Sequence, residues 1–355
     1  MHLLDDTKKI DQLNTGFSYD SIYSLPDQCA YAWNSAQELE IPSSYSHASS
    51  ILFCGMGGSS YGARIIKSLY SDKISIPIDI VSDYHLPKYI RKNVLIVAAS
   101  YSGNTEETIS CIKEALQFDS EVIGISNGGE LFKLLKSADK PVYKFDAEFN
   151  PSKQPRLGQG YMQMGQIAIL KKLNYIEVSD KDVQDTITFL KSRNSLHSKQ
   201  VRLTGSPAKQ YATFFENRII NIIGAGFLEG AIHAIRNPFN ETSKHFANYF
   251  ILPEANHHLM EGLSFPKGNK DNLCFLMIYS PLYEEKIKKR MELTKEVIQK
   301  NNIPVFEINL VSKTKLAQIF ELIQLGSFIT FYLGMLHQIN PADIPWVNYF
   351  KEKLK

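Results

Sequence analysis

The first clear structural unit in this sequence is the apolar run Ile51-Leu52-Phe53-Cys54, which ends in the glycine-rich turn Gly55-Met56-Gly57-Gly58. Helical spacing of apolar residues follows, as far as Leu69. A short buried strand, a glycine turn and a helix in this order are typical of the opening unit of a parallel α/β sheet. We therefore predict such a unit over residues 51–69.

Strand and helix patterns alternate along the rest of the chain. Further strands are predicted at residues 76–81, 94–99, 122–125, 142–145, 219–223, 274–279 and 305–308. Helices are predicted near residues 28–39, 106–116, 161–172, 228–235, 283–300 and 315–337. This alternation indicates parallel sheets with helices on both faces. The predicted fold class is α/β, with two doubly wound, flavodoxin-like parallel-sheet subdomains.

A segment that carries proline and glycine, residues 150–160, separates the two sets of strands. We predict an N-terminal arm or helix at residues 1–45, a first, phosphate-binding subdomain at 46–155, a second at 156–340, and a C-terminal helix or tail at 341–355. A chain of 355 residues is long enough for two domains of ordinary size.

The two predicted subdomains are similar enough to be distant copies of one unit. Residues 51–59 echo residues 221–227, and residues 97–102 echo residues 277–282. The first copy keeps several hydroxyl side chains in its two turns, whereas the second has Phe227, Leu228 and Leu282 there. We therefore expect an anion site in the first subdomain and its loss from the second.

Composition and charge narrow the class of partner. The formal net charge of +2 gives no long-range field to gather nucleic acid or an anionic membrane. The cysteines are scattered, without the spacing of a zinc site, which indicates reduced thiols in a cytoplasmic protein. The first residues lack the pattern of a signal peptide, and no uninterrupted apolar run has membrane-spanning length. We interpret the apolar segment at residues 329–336 as a buried helix.

Two turns of the first subdomain carry the residue types that bind an oxyanion. Gly57-Gly58-Ser59 follows one predicted strand, and Ser100-Tyr101-Ser102-Gly103-Asn104-Thr105 follows another. Free N–H groups at a helix start, together with glycines and hydroxyls, suit a phosphate. The first turn could equally be a tight connection, and Thr105 could be a helix cap. No Walker lysine or complete dinucleotide fingerprint is present, so a phosphomonoester fits best.

These two turns together resemble the signature of the sugar isomerase (SIS) fold. Within that superfamily the chain resembles the bifunctional phosphoglucose/phosphomannose isomerases nearly end to end, from Leu25-Pro26-Asp27-Gln28 to Phe350-Lys351-Glu352-Lys353-Leu354. Matching segments in both lobes are Gln154-Pro155-Arg156, Asn240-Glu241, Pro253-Glu254-Ala255-Asn256-His257-His258 and Leu322-Ile323-Gln324-Leu325-Gly326.

The resemblance implies an aldose–ketose isomerase that interconverts glucose 6-phosphate and fructose 6-phosphate, and also mannose 6-phosphate and fructose 6-phosphate, through an enediolate. It implies a cytoplasmic enzyme of carbohydrate metabolism, in glycolysis and gluconeogenesis, without a metal or an organic cofactor. It also implies a homodimer, in which His257 could serve the neighbouring subunit's site. The expected partner is a small sugar phosphate, not a nucleic acid or a membrane.

The resemblance also assigns the site residues. The phosphate ligands it implies are Gly58, Ser59, Ser100, Ser102 and Thr105. Glu241 corresponds to the proton-abstracting base and Arg156 to the cation that stabilises the enediolate. Read without the resemblance, Glu241 would be a first-turn acid at the start of a new helix, and Arg156 a solvated linker residue.

Ring opening is assigned to His257 and Lys351 by the same resemblance. His257 lies in a stretch that we expect to be extended and flanked by proline, and its neighbour His258 raises the alternative of a metal site. No carboxylate at ligand spacing completes such a site. Lys351 lies among Lys353 and Lys355, a pattern that is also typical of a frayed surface tail.

Some positions depart from the family pattern. Thr242-Ser243-Lys244 stands where Asn-Ala-Lys is usual, and Arg236-Asn237-Pro238-Phe239 is atypical. Ile344 stands where a relative has a threonine that leaves room for both C2 epimers, which makes mannose 6-phosphate the less secure substrate. Two alternatives stay open: a glucosamine-phosphate isomerase on the same fold, and a non-catalytic SIS-domain sensor of sugar phosphates.

Overall fold

The computed structural model describes residues 2–90, 93–118 and 120–354. Met1 and Lys355, the end residues of the two predicted terminal segments, lie outside these ranges. The strands are β1 (Ser50–Cys54), β2 (Ile78–Val81), β3 (Val94–Ala99), β4 (Glu121–Ser126), β5 (Val142–Lys144), β6 (Ile219–Ala225), β7 (Ala247–Leu252), β8 (Leu273–Tyr279) and β9 (Val305–Asn309). The helices are α1 (Thr7–Leu13), α2 (Ser18–Tyr23), α3 (Leu25–Gln37), α4 (Tyr61–Leu69), α5 (Glu106–Ala115), α6 (Gly129–Ser137), α7 (Gln159–Lys172), α8 (Asp180–His197), α9 (Pro207–Phe215), α10 (Glu229–Glu241), α11 (Asn269–Asn272), α12 (Glu285–Lys300), α13 (Lys315–Leu336) and α14 (Pro345–Leu354).

The first sheet is parallel, with the strand order β2-β1-β3-β4-β5. β3 is buried along its whole length, because helices cover both faces of the sheet. The strand order reverses between β1 and β3, so the connections that leave these two strands diverge. The crevice between them is where a doubly wound sheet binds its ligand, and both hydroxyl-rich turns lie there.

The second sheet repeats this arrangement with the order β7-β6-β8-β9, again parallel. β6 takes the place of β1, and β8 takes the place of β3. Similar sequence segments therefore lie on strands in equivalent positions of the two sheets. These segments are residues 51–59 with 221–227, and residues 97–102 with 277–282. The α/β class with two doubly wound parallel sheets is confirmed.

The two lobes share one apolar core, which runs from the N-terminal helices to α13. Helices α4 and α10, which follow the equivalent strands β1 and β6, pack directly against each other. A Cβ on Gly230 would lie 2.4 Å from the Ile65 backbone nitrogen, so their backbones are in contact at that point. The start of each helix consequently lies close to the end of the other.

Helix α13 lies at the centre of this core. By length and composition it could cross a membrane, although polar residues such as Glu321 interrupt its apolar sequence, and 89% of its most apolar window is buried inside the protein. Its buried polar residues are hydrogen-bonded internally; for example, the Gln324 side chain donates to the carbonyl of Leu190. The prediction of a buried helix here is confirmed.

Helix α10 extends further than predicted, and this changes the place of Glu241. The helix was predicted over residues 228–235, but Pro238 lies in its last turn, where the Thr242 N–H donates to the Pro238 carbonyl at 2.7 Å. Glu241 is therefore the last residue of α10, and the expectation that it starts a new helix is wrong.

Candidate active site

The two hydroxyl-rich turns are joined by direct hydrogen bonds. The Tyr101 N–H donates to Ser59 Oγ at 3.0 Å, which ties the turn after β3 to the turn after β1. Ser100 is fully buried, and its Oγ accepts from the Gly103 N–H at 3.1 Å. The hydroxyls of Ser100 and Thr105 lie 2.8 Å apart. The two turns thus form one polar pocket at the crevice of the first sheet.

The residues around this pocket leave donors free for a ligand. Thr105 has the backbone position of a helix cap, but its side chain caps no backbone N–H of α5, so the first-turn amides of that helix have no side-chain partner among the described residues. Ser102 is exposed at the mouth of the turn, where its Oγ accepts from the Asn104 N–H. Gly57 has a left-handed φ of 49°, which a side chain rarely adopts and which lets the chain turn into α4.

Arg156 lies against the same turns and is held on several sides. A Cβ on Gly58 would be only 3.5 Å from Arg156 Cα. Arg156 is 3% exposed, and its guanidinium donates to Thr242 Oγ1, to Gln154 Oε1 and to the carbonyls at positions 341 and 342. These four hydrogen bonds fix the guanidinium plane. Burial lowers the pKa of Arg156 and the nearby Glu241 charge raises it, and arginine stays cationic under such conditions.

Glu241 completes the arrangement from the second lobe. Its Oε2 lies 3.8 Å from Arg156 Nη1, and its side chain is 36% exposed. A carboxylate at the last residue of a helix is disfavoured by the helix dipole, and the Arg156 cation offsets that effect. The pair therefore places a partly accessible carboxylate beside a rigid, buried cation.

Three residues near this pair had no assigned role in the sequence analysis. Thr242, noted there only as a departure, orients Arg156 through the contact of 3.3 Å from Nε to Oγ1. The Lys244 ammonium donates to the carbonyls of Asn340 and Pro341, and burial and then the Arg156 charge lower its pKa to about 8. Burial and, to a smaller extent, the Glu241 charge raise the pKa of Tyr61, so this phenol stays protonated. Thr242 and Lys244 follow Glu241 directly in the sequence, whereas only the fold brings Tyr61 to this site.

His257 and Lys351 lie apart from this site within the chain. His257 ends a short 3-10 helix, Glu254–His257, so the expectation of an extended stretch is wrong. It is exposed and forms no hydrogen bond, ion pair or ring contact with any described residue. Lys351 lies on α14, where residues 345–354 include no buried side chain. The structure brings together Gly58, Ser59, Ser100, Ser102, Thr105, Arg156 and Glu241, but not these two.

The equivalent crevice of the second sheet is filled by the protein's own side chains. The Ala225 N–H donates to the Tyr283 hydroxyl at 3.1 Å, and Tyr283 packs edge-on against Phe227. Ser280 Oγ donates to Gln318 Oε1. Groups at the positions equivalent to the predicted anion site of the first lobe are thus engaged by the protein itself, in line with the expected loss of the second site. Within the described ranges no group of three or more histidine, cysteine, aspartate or glutamate side chains could hold a metal ion.

Comparison with known proteins shows what the chain is similar to. Residues 204–354 match the bacterial phospho-glucose isomerase C-terminal SIS domain. The bifunctional phosphoglucose/phosphomannose isomerase of Caldicellulosiruptor bescii is 29% identical over 338 residues, which cover 95% of this chain and 98% of that protein. The protein of the same description from Thermoplasma acidophilum is 28% identical, covering 86% of this chain and 90% of its own.

The chain is thus similar to the bifunctional phosphoglucose/phosphomannose isomerases along nearly its whole length, and its C-terminal part matches the bacterial phospho-glucose isomerase C-terminal SIS domain. A solved structure of a glucose-6-phosphate isomerase like protein from Thermus thermophilus superimposes with a TM-score of 0.62 at 14% identity, over 99% of both chains. At that identity the likeness concerns the fold, which is the two-lobed SIS fold throughout. The similarity to the Caldicellulosiruptor bescii protein covers 95% of the chain, whereas the domain match covers residues 204–354, which include Glu241.

Proposed function

We propose that this protein interconverts glucose 6-phosphate and fructose 6-phosphate, and mannose 6-phosphate and fructose 6-phosphate, by proton transfer through an enediolate. One observation carries the proposal: a partly exposed Glu241 carboxylate lies 3.8 Å from the buried Arg156 guanidinium, beside a hydroxyl-rich oxyanion pocket. The family match supports it, because the relatives over nearly the whole chain are named for these two activities.

The pocket of the first lobe would hold the substrate phosphate. Ser59, Ser100, Ser102 and Thr105 supply hydroxyls, the Gly58 backbone allows close approach, and the amides at the start of α5 favour negative charge. A phosphate fixed in this pocket would orient the sugar carbons toward the second lobe. Such positioning lowers the entropic cost of reaching the transition state.

Glu241 would move the proton between C1 and C2. A carboxylate is a competent base for a carbon acid only if the negative charge that develops on the neighbouring oxygens is stabilised. Arg156 is held by four hydrogen bonds and needs little rearrangement during the reaction, so it suits that task. Its remaining N–H faces the Glu241 side, where the enediolate oxygens would lie.

Ring opening would fall to His257 and Lys351, supplied in a homodimer. Both side chains are exposed in the single chain, and His257 has no described partner that would hold it elsewhere. Helix α14 exposes Trp346, Tyr349 and Phe350 by more than half of their surfaces, which is more apolar area than an isolated helix usually leaves open. A second copy that covers α14 and receives His257 accounts for both features. We place this enzyme in cytoplasmic sugar metabolism, at the entry to glycolysis and the exit from gluconeogenesis.

The test is a coupled assay that follows glucose 6-phosphate formation from fructose 6-phosphate by the purified protein. We expect turnover by the wild type and a loss of about 10²–10⁴-fold in kcat for Glu241→Gln, with binding of fructose 6-phosphate retained. A parallel assay with mannose 6-phosphate measures the second specificity. Binding of fructose 6-phosphate without product would overturn the isomerase proposal in favour of the sensor, and turnover of glucosamine 6-phosphate alone would favour the amino-sugar isomerase.

A further inference from the structure

A cavity of about 520 Å³ lies at the other end of the α4–α10 pair from Glu241. Whereas the candidate active site lies where α4 begins and α10 ends, this cavity lies where α10 begins and α4 ends. Its walls come from α4, the start of α10, and the two edge strands β2 and β7. It therefore lies between the lobes and is separate from the pocket described above.

The internal repeat of the chain relates this cavity to the candidate active site. When Gly57 of the first turn is aligned with Gly226 of the second, both glycines have left-handed backbones, with φ of 49° and 54°. In the same alignment Arg64 of α4 takes the position of His233 of α10. Gly226, Arg64 and His233 all line the cavity. The cavity is thus the second repeat's counterpart of the candidate active site, although the crevice of the second sheet itself is filled.

Two cations line the cavity without an ion pair to any described residue. Arg64 and Lys67 lie one turn apart on α4, and neither forms a hydrogen bond or an ion pair with any described residue. The Arg64 Nε is buried and has no acceptor among the described residues. The third basic group, His233, is neutral, because burial and the charges of Arg64 and Arg236 lower its pKa to about 3. A phosphate that enters the cavity would supply the missing acceptor for Arg64.

The remaining polar walls suit hydroxyl groups. Asp79 uses one carboxylate oxygen to accept from the Tyr89 hydroxyl at 2.9 Å, and its other oxygen accepts from none of the described residues. Glu229 has no described partner, and Ser71 and Tyr249 add hydroxyls. Two carboxylates would repel a bare polyanion, but they accept hydrogen bonds from the alcohol groups of a ligand that also carries a phosphate.

We propose that this cavity is a second, non-catalytic binding site for a phosphorylated polyol, held at its phosphate by Arg64 and Lys67 and at its hydroxyls by Asp79 and Glu229. The site does not depend on the isomerase reaction. Because its ligand resembles the proposed substrates and products, it would sense their concentration from the opposite end of the helix pair whose other end carries Glu241.

The experiment is calorimetric titration of the full chain with glucitol 6-phosphate, a reduced sugar phosphate that cannot be isomerised. We expect two molecules bound per chain in the wild type. Lys67→Glu is expected to remove one of them, with at least about a tenfold loss of affinity, since it reverses a charge that contacts phosphate. Ser100→Ala should weaken the other, which assigns each binding event to its own cavity.

Lys136→Glu is the matched control, because Lys136 is likewise an exposed lysine in the last turn of a first-lobe helix, α6. It should leave both binding events unchanged, and equal melting temperatures of the two variants would show that Lys67→Glu folds. Arg64→Gln tests independently the cation whose Nε is buried. Binding that persists undiminished in both Lys67→Glu and Arg64→Gln would overturn the proposal. A wild type that binds one molecule per chain, lost in Lys67→Glu, would instead overturn the phosphate pocket of the first lobe.

Discussion

Arg156 Nη1 and Glu241 Oε2 lie 3.8 Å apart, although the two residues belong to different lobes. The cation is 3% exposed and fixed by four hydrogen bonds, whereas the carboxylate is partly open to solvent. The fixed partner therefore sets the geometry and the open partner can meet a ligand. Two of the hydrogen bonds go to the carbonyls of Pro341 and Ala342, so the start of the C-terminal segment is tied to the same point.

Arg156→Lys tests this division of roles. A lysine keeps the charge but cannot donate at once to Thr242, Gln154 and two carbonyls, because its ammonium has three donors at a single point. We expect kcat for fructose 6-phosphate to fall by about 10²-fold or more, with a smaller change in KM, because the ammonium would no longer be held where negative charge develops in the transition state.

The matched control is Arg202→Lys, an exposed arginine of the second lobe. It should leave kcat and KM unchanged. If Arg156→Lys instead raised KM and left kcat intact, Arg156 would bind substrate and transition state equally, and its role as the stabiliser of the enediolate would be wrong.

Sequence patterns predicted the sheets well because buried parallel strands are nearly continuous apolar runs, as in Val94–Ala99. Strand β7 was missed because it is an edge strand with mostly half-exposed residues. Helix α8 was missed although Ser179 caps it and Val183, Ile187 and Leu190 follow at helical spacing, so its signal was present.

The candidate active site likewise contains residues that sequence patterns could locate and residues that they could not. The hydroxyl-rich turns could be found locally, because a phosphate pocket at the end of a strand is built from consecutive residues. The contacts of Arg156 could not be found from local sequence. Two of its acceptors are backbone carbonyls near the C-terminus, and no side-chain pattern marks a backbone carbonyl as an acceptor. Glu241 was assigned only through the family resemblance. Glu241 ends α10 because the helix continues through Pro238, which lies in its last turn.

Ser100→Ala tests the phosphate pocket. The substitution removes the acceptor of the Gly103 N–H and the partner of the Thr105 hydroxyl from a fully buried position. We expect the KM for fructose 6-phosphate to rise by about tenfold, which corresponds to the ~1.4 kcal/mol that one such hydrogen bond is worth. Steady-state kinetics of Ser192→Ala, an exposed serine on α8, should match the wild type. An unchanged KM in Ser100→Ala would place the phosphate elsewhere.

Mixing of two inactive variants tests the shared site. If His257 acts in the neighbouring subunit, a heterodimer of Glu241→Gln and His257→Ala chains contains one site with both residues native. Equal mixing with subunit exchange should therefore restore about a quarter of wild-type activity, since half of the dimers are mixed and each has one working site. The measurement is the coupled assay before and after exchange. Activity that stays at the level of the separate variants would show that His257 does not act across an interface.

His197 gives the protein a predictable sensitivity to acid. It is 2% exposed, its Nδ1 has no described partner, and burial, then the charge of Arg193, lowers its pKa to about 4. Above pH ~6.5 the imidazole is neutral in both the folded and the unfolded chain. As the pH falls from there toward 4, the unfolded chain takes up a proton that the folded chain refuses, so the free energy of unfolding decreases, by up to about 3 kcal/mol.

His197→Phe removes this proton uptake and keeps a ring against Phe328. We expect urea unfolding at pH 7 and pH 4.5 to show a smaller acid loss of unfolding free energy in His197→Phe than in the wild type, by about 2–3 kcal/mol. His47→Phe, at an exposed histidine, should lose as much stability as the wild type. Equal losses in His197→Phe and the wild type would mean that His197 is charged in the folded protein and that some other group accounts for the acid sensitivity.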